Sequence, residues 1–123
     1  MGNHSIQFYN ISAEATLDVI GGKWKLLILC YLNCGPMRSS QFRKVIPNLS
    51  QKMLTQQLRE LEEAGIINRT IYNEVPPKVV YEISELGKSL KPILDQLGKW
   101  GEQYINVSKS NNPHAKIQLG ECN

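Results

Sequence analysis

The sequence predicts a mainly helical domain with one small β-hairpin and a long last helix, an α+β arrangement within one domain. Three observations predict it. Apolar residues recur at 3–4 spacing in successive stretches bounded by Ser, Gly or Pro. One stretch, residues 66–83, is instead β-prone and interrupted by Pro76-Pro77. The chain has 123 residues, 41% hydrophobic and 20% charged, which is globular composition. A chain of that size buries roughly two-thirds of its unfolded surface and needs no disulfide or metal to fold.

Ser12 is placed to cap a first helix over 13–20, which Gly21-Gly22 stops. The second helix starts near Lys23 and is apolar almost all round from Trp24 to Leu32, so it belongs at the centre of the core. Asn33-Cys34-Gly35-Pro36 ends it. Ser39 or Ser40 caps a short third helix over 41–46, with Phe42, Val45 and Ile46 as its buried stripe. After Pro47-Asn48, Ser50 caps a fourth helix that runs to about Ala64 and ends at Gly65. Its Leu54, Leu58 and Leu61 share one face, which turns Lys52, Thr55, Gln56 and Arg59 to the other. Two strands follow, over 66–72 and 79–83. Ser84 caps the last helix, whose stripe is Leu86, Leu90, Ile93, Leu94, Leu97, Trp100, Tyr104 and Ile105, with a kink or a restart at Pro92. The expected domain is 1–107, beginning with a polar arm over 1–11, and residues 108–123 form a polar tail.

The net charge is +3, and all of the excess lies in residues 38–69. There Arg38, Arg43, Lys44, Lys52, Arg59 and Arg69 stand against Glu60, Glu62 and Glu63. A small excess gathered on one face can make a phosphate-binding surface, although charge alone favours a solvated helical surface. The longest apolar run, Leu26 to Leu32, is too short to span a bilayer. The N-terminus shows neither a secretory signal nor a myristoylation pattern. Three cysteines in such a chain suggest reduced thiols and a cytoplasmic address.

The order of elements is decisive. The third and fourth helices flank a tight turn at 46–49, and a hairpin follows at once, which is the winged helix-turn-helix arrangement. A helix enters the major groove only if one face is polar and free. Gln51, Lys52, Thr55, Gln56 and Arg59 supply that face: Gln reads adenine, and Arg or Lys reads guanine. Ser50 and the open N–H groups of the helix start suit a phosphate. Arg38, Arg43 and Lys44 flank it, and Lys78 at the hairpin tip reaches an adjacent backbone or minor groove. The bland alternative is a polar face that meets only water.

These residues also carry a resemblance. Ala13 to Lys25, Asn48 to Glu62, Tyr72 to Tyr81 and Leu97 to Glu102 resemble, in order, four segments of the HxlR-type winged-helix regulators. The likeness spans roughly residues 11–105. It implies a homodimeric bacterial or archaeal regulator, activator or repressor, on near-palindromic double-stranded DNA. Two departures stand out. Many members carry a cysteine before the first helix, which some use to sense oxidants; alignment on Glu14-Ala15-Thr16 puts Ile11 there, and Ser12 at the following proline. Val80 replaces a frequent wing Glu.

A head of three helices and a wing leaves the last helix partly uncovered. Leu90, Leu94, Leu97, Trp100 and Tyr104, with Leu17 and Ile20, would then pair two subunits and set two recognition helices roughly 34 Å apart. Trp24, Trp100 and Tyr104 read as core or dimer contacts rather than a ligand cage. Cys30 lies in the apolar run as a small core hydrophobe, whereas Cys34 in the turn is the residue for a redox role. Cys30, Cys34, His4 and His114 match no compact zinc spacing, so no metal or cofactor is expected. Neither a phosphate loop nor a nucleophile elbow occurs, and paired carboxylates lack partners, so the expectation is no enzyme. The alternatives are a winged-helix protein-interaction module and a thiol-based sensor acting through Cys34.

Overall fold

The computed structural model describes residues 8–108. The start of the expected arm, nearly all of the expected tail, His4, His114 and Cys122 lie outside the described residues. The elements are α1 (Ser12–Ile20), α2 (Trp24–Leu32), α3 (Ser39–Val45), α4 (Gln51–Glu63), β1 (Ile67–Tyr72), β2 (Lys78–Ile83), α5 (Glu85–Lys88) and α6 (Lys91–Val107). They form a mainly helical winged helix-turn-helix with a long C-terminal helix.

Two expected caps move. Ser12 is the first residue of α1 rather than its cap, and the Glu14 carboxylate accepts the N–H groups of Asn10 and Ile11 instead. A longer acidic side chain reaching back does the same electrostatic work at a helix start. Ser39 and Ser40 likewise fall inside α3, where Gln41 Oε1 accepts the Arg38 N–H at 2.8 Å. The cap of α4 is the expected one: Ser50 Oγ accepts the Met53 N–H at 3.1 Å. The turn between α3 and α4 puts Asn48 at φ 65°, a left-handed conformation that Asn tolerates better than a branched residue would. Arg43 Nε closes that turn by donating to the Leu49 carbonyl at 3.3 Å.

Leu54, Leu58 and Leu61 of α4 pack into one core with Ile28, Leu29, Phe42, Ile46, Leu49, Ile66 and Ile67. Val45 is not part of the buried stripe of α3; it stays exposed. The core end of α2 is Ile28, Leu29 and Leu32, and its remaining apolar residues are half-buried. The core thus grips α3 and α4 from beneath and leaves their outer faces open.

The wing is an antiparallel pair running from Ile67 opposite Ile83 to Tyr72 opposite Lys78. A further backbone bridge was not expected. Met37 and Tyr81 exchange N–H···O bonds of 2.9 and 2.8 Å, which fastens the lead-in to α3 onto β2. The helix-turn-helix and wing therefore share backbone hydrogen bonds as well as a core.

Pro92 marks a restart, not a kink. The single turn α5 ends at Lys88, and α6 begins at Lys91 with Pro92 in its first turn, where a missing N–H goes unused. Buried Ser84 pins this junction. Its Oγ accepts the Gly87 N–H at 3.0 Å and lies 2.6 Å from the Gly65 carbonyl and 2.9 Å from that of Ile66. A Cβ on Gly87 would stand 2.2 Å from the Ile66 oxygen, so only glycine fits.

The expected pairing stripe divides in two. Ile20 and Leu94 are buried in this chain's own core and Leu90 packs against it, so they have little surface to offer a second subunit. Beyond Leu94 much of the stripe opens to solvent, while Ile105 stays half-buried. Leu97, Trp100 and Tyr104 are exposed, as is Leu17 on α1. Trp100 and Tyr104 stack at 5.4 Å between ring centroids. Leu86 and Ile93 of the expected stripe are exposed as well.

Candidate nucleic-acid interface

With Leu54, Leu58 and Leu61 fixed inward, helical geometry turns Gln51, Lys52, Thr55, Gln56 and Arg59 outward, and all five are exposed together with the cap Ser50. Two hydrogen bonds run along this face at i,i+4. Gln51 Nε2 donates to Thr55 Oγ1 at 3.2 Å, and Gln56 Nε2 donates to Glu60 Oε2 at 2.8 Å. Glu60 is held in turn from another helix: Lys25 Nζ of α2 lies 2.6 Å from Glu60 Oε1, and the Lys25 side chain is only 16% exposed. The Lys25 ammonium, then the Gln56 amide, hold the Glu60 carboxyl below its ordinary range.

Arg38, Arg43 and Lys44 are exposed at or along α3. Arg43 gives one of its donors to Leu49, which leaves the rest of its guanidinium for a ligand. Lys78 does not sit at the hairpin tip as expected. It opens β2 below the tip, paired with Tyr72, and its ammonium lies 5.6 Å from the Tyr72 ring centroid. From there it lines a cleft of about 320 Å³ with Arg38, Gln41, Met37, Pro36 and Val80. The Met37–Tyr81 bridge forms that cleft, because it draws the start of α3 against the wing. Two cations 40 residues apart in sequence, Arg38 and Lys78, thus line one notch.

Sequence reasoning had not singled out Lys25, Glu60, Met37 or Gln41. A signal existed for the first: Lys25 is a cation within an otherwise apolar helix, and such a residue needs a partner. Gln41 stands three residues after Arg38, at capping-box spacing. No pattern marked Met37.

Cys30 is a free, half-buried thiol, and burial, with Asp95 nearby, pushes its pKa up. Cys34 is exposed and disulfide-bonded, which departs from the expectation that the thiols are reduced. Among the described residues no group of three or more His, Cys, Asp or Glu could hold a metal ion. No helix of the described residues is long and apolar enough to cross a membrane.

A helix-turn-helix with a free polar face on its second helix, backed by a two-stranded wing, is the architecture of the winged DNA-binding transcriptional regulators. The comparisons narrow the class. The HxlR-like helix-turn-helix family model matches residues 19–109, and the chain belongs to that family. It is 63% identical over 98 residues to the HTH-type transcriptional regulator YtcD of Bacillus subtilis (strain 168), covering 80% of this chain and 78% of that protein. An HTH-type regulator of Methanothermobacter thermautotrophicus is 52% identical over 107 residues, covering 87% and 82% of the two chains. Among solved structures, YtcD superposes with a TM-score of 0.74 at 59% identity, over 78% of this chain and 98% of that one. The redox regulator HypR in its reduced form gives a TM-score of 0.76 at 48% identity, over 80% and 97%.

Proposed function

We propose that the protein acts as a homodimer on a near-palindromic DNA operator. In this reading α4 lies in the major groove, where Lys52, Thr55, Gln56 and Arg59 meet base edges or phosphates. Ser50, Gln51 and the start of α4 take a phosphate, Arg43 and Lys44 take others, and Arg38 with Lys78 holds the backbone beside the wing. The observation that carries the reading is the exposed polar face of α4, held outward by a leucine face that is fully committed to the core. The exposed stripe Leu17, Leu97, Trp100 and Tyr104 supports pairing, because an apolar stripe of that kind on a long helix is covered in a stable assembly.

The test is selection of a duplex from a random-sequence library by the full chain, followed by anisotropy over a salt series. The expected result is sequence-selective binding with a steep salt slope, weakened by about 1–3 kcal/mol in Arg59→Ala. Weak, salt-insensitive binding to every duplex would instead favour a protein-interaction module.

A second reading has a specific observation behind it. Cys34 is disulfide-bonded, and a relative 48% identical is named a redox regulator. On this reading an oxidant takes two electrons and two protons from a pair of thiols that includes Cys34, and DNA is released. Release by diamide should then be lost in Cys34→Ser. Full release in that variant excludes this thiol as the trigger.

A further inference from the structure

We propose that Glu60, anchored by Lys25, is a positioning residue that presets the Gln56 amide for reading adenine in the major groove. The inference rests on the operator-binding reading above and adds how one base contact is specified.

The argument starts from what each group can donate. A carboxylate only accepts, so the Gln56 amide must turn its nitrogen toward Glu60 Oε2, as the 2.8 Å contact shows. That fixes which end of the amide is which. Oε1 and the second N–H of Nε2 remain for a base edge. Adenine needs this acceptor-and-donor pair, with N6–H donating and N7 accepting. An untethered glutamine in water samples both amide orientations and many rotamers, and loses that freedom on binding.

The cross-helix contact separates this pair from an ordinary i,i+4 contact. Gln51 and Thr55 also bond along α4, but both are exposed. Glu60 is fixed from α2, with Lys25 on Oε1 and Gln56 on Oε2. Lys25 also has an electrostatic role. An unpaired carboxylate beside a DNA-facing residue repels phosphates, and the Lys25 ammonium cancels that charge locally. The order Lys25, Glu60, Gln56 therefore carries rigidity from the core-facing helix to the recognition face.

The experiment uses the full chain and the duplex it selects from a random library. Affinities are measured for wild type, Gln56→Ala, Glu60→Ala and the double variant, on that duplex and on versions with each adenine replaced in turn by guanine. Glu60→Ala should lower discrimination at one adenine by about tenfold and leave the salt slope unchanged. In the Gln56→Ala background the Glu60 substitution should change discrimination at that adenine no further. Because Glu60→Ala strands a poorly exposed lysine, Lys25→Met with Glu60→Leu removes the pair together and should show the same loss of discrimination. Losses spread evenly over all positions, or adding fully to those of Gln56→Ala, assign the pair a purely structural role and overturn the proposal. If Arg59→Ala weakens binding while Gln56→Ala does not, this inference fails and operator binding stands. If no duplex is selected, both fail.

Discussion

Replacing Ser84 by alanine tests whether the joint between wing and C-terminal helices is held by one buried hydroxyl. Ser50→Ala is the internal standard. Both serines cap a helix in the same way, with Oγ accepting an N–H three residues on, at 3.1 Å for Ser50 and 3.0 Å for Ser84. Loss of such a cap typically costs about 1 kcal/mol. The two differ in burial. Ser50 is exposed, so water can replace its hydroxyl, and about 1 kcal/mol is the whole expected effect. Ser84 is 8% exposed and Gly87 is buried, so the Gly87 N–H is left unsatisfied at a further cost of about 1–3 kcal/mol. The Ile66 carbonyl keeps the Ser84 backbone N–H at 3.0 Å, and Gly65 is exposed enough for water to serve its carbonyl. The expected loss is therefore about 2–4 kcal/mol for Ser84→Ala against about 1 kcal/mol for Ser50→Ala. Urea unfolding at one fixed protein concentration measures both, since dimerisation links stability to concentration. Equal losses would refute the reasoning, because burial is the only difference invoked.

Three further outcomes are expected. Leu97→Lys places a charge in the exposed apolar stripe beside the stacked Trp100 and Tyr104, and should weaken self-association by about a hundredfold or more in sedimentation experiments; unchanged association would move the interface elsewhere. Arg38→Ala and Lys78→Ala, which line one cleft, should each lower the slope of log K against log salt by about 0.9 without altering base preference; a change in preference at a single base would contradict a backbone role. Cys30, whose pKa burial and Asp95 raise, should alkylate slowly at pH 7 in the folded chain and readily in urea, as read by mass spectrometry; fast labelling of native protein would show that the thiol is open to solvent.

Local chemistry made most of the fold legible. Ser50 with Gly65 bounds α4, the leucine spacing sets its inward face, and the Pro-containing loop between β-prone runs marks the wing. Those signals are one-dimensional, and each depends on residues a few positions apart. The same periodicity placed the outward face of α4, with all of its candidate contact residues exposed. It failed where several residue types solve one local problem: Glu14 and Gln41 serve helix starts that had been given to serines.

Which elements form, and which face of α4 is polar, was settled along the chain alone, because both follow from helical geometry and the burial of apolar surface. Tertiary structure alone decided the long-range pairings. It joined Lys25 to Glu60 across two helices and bridged Met37 to Tyr81, so that Arg38 and Lys78 line one cleft. It also divided the apolar stripe of the last helix, taking Leu94 into the core and leaving Trp100 outside. A stripe records only that residues share a face. How far along the helix a neighbour covers that face depends on where the rest of the chain ends in space.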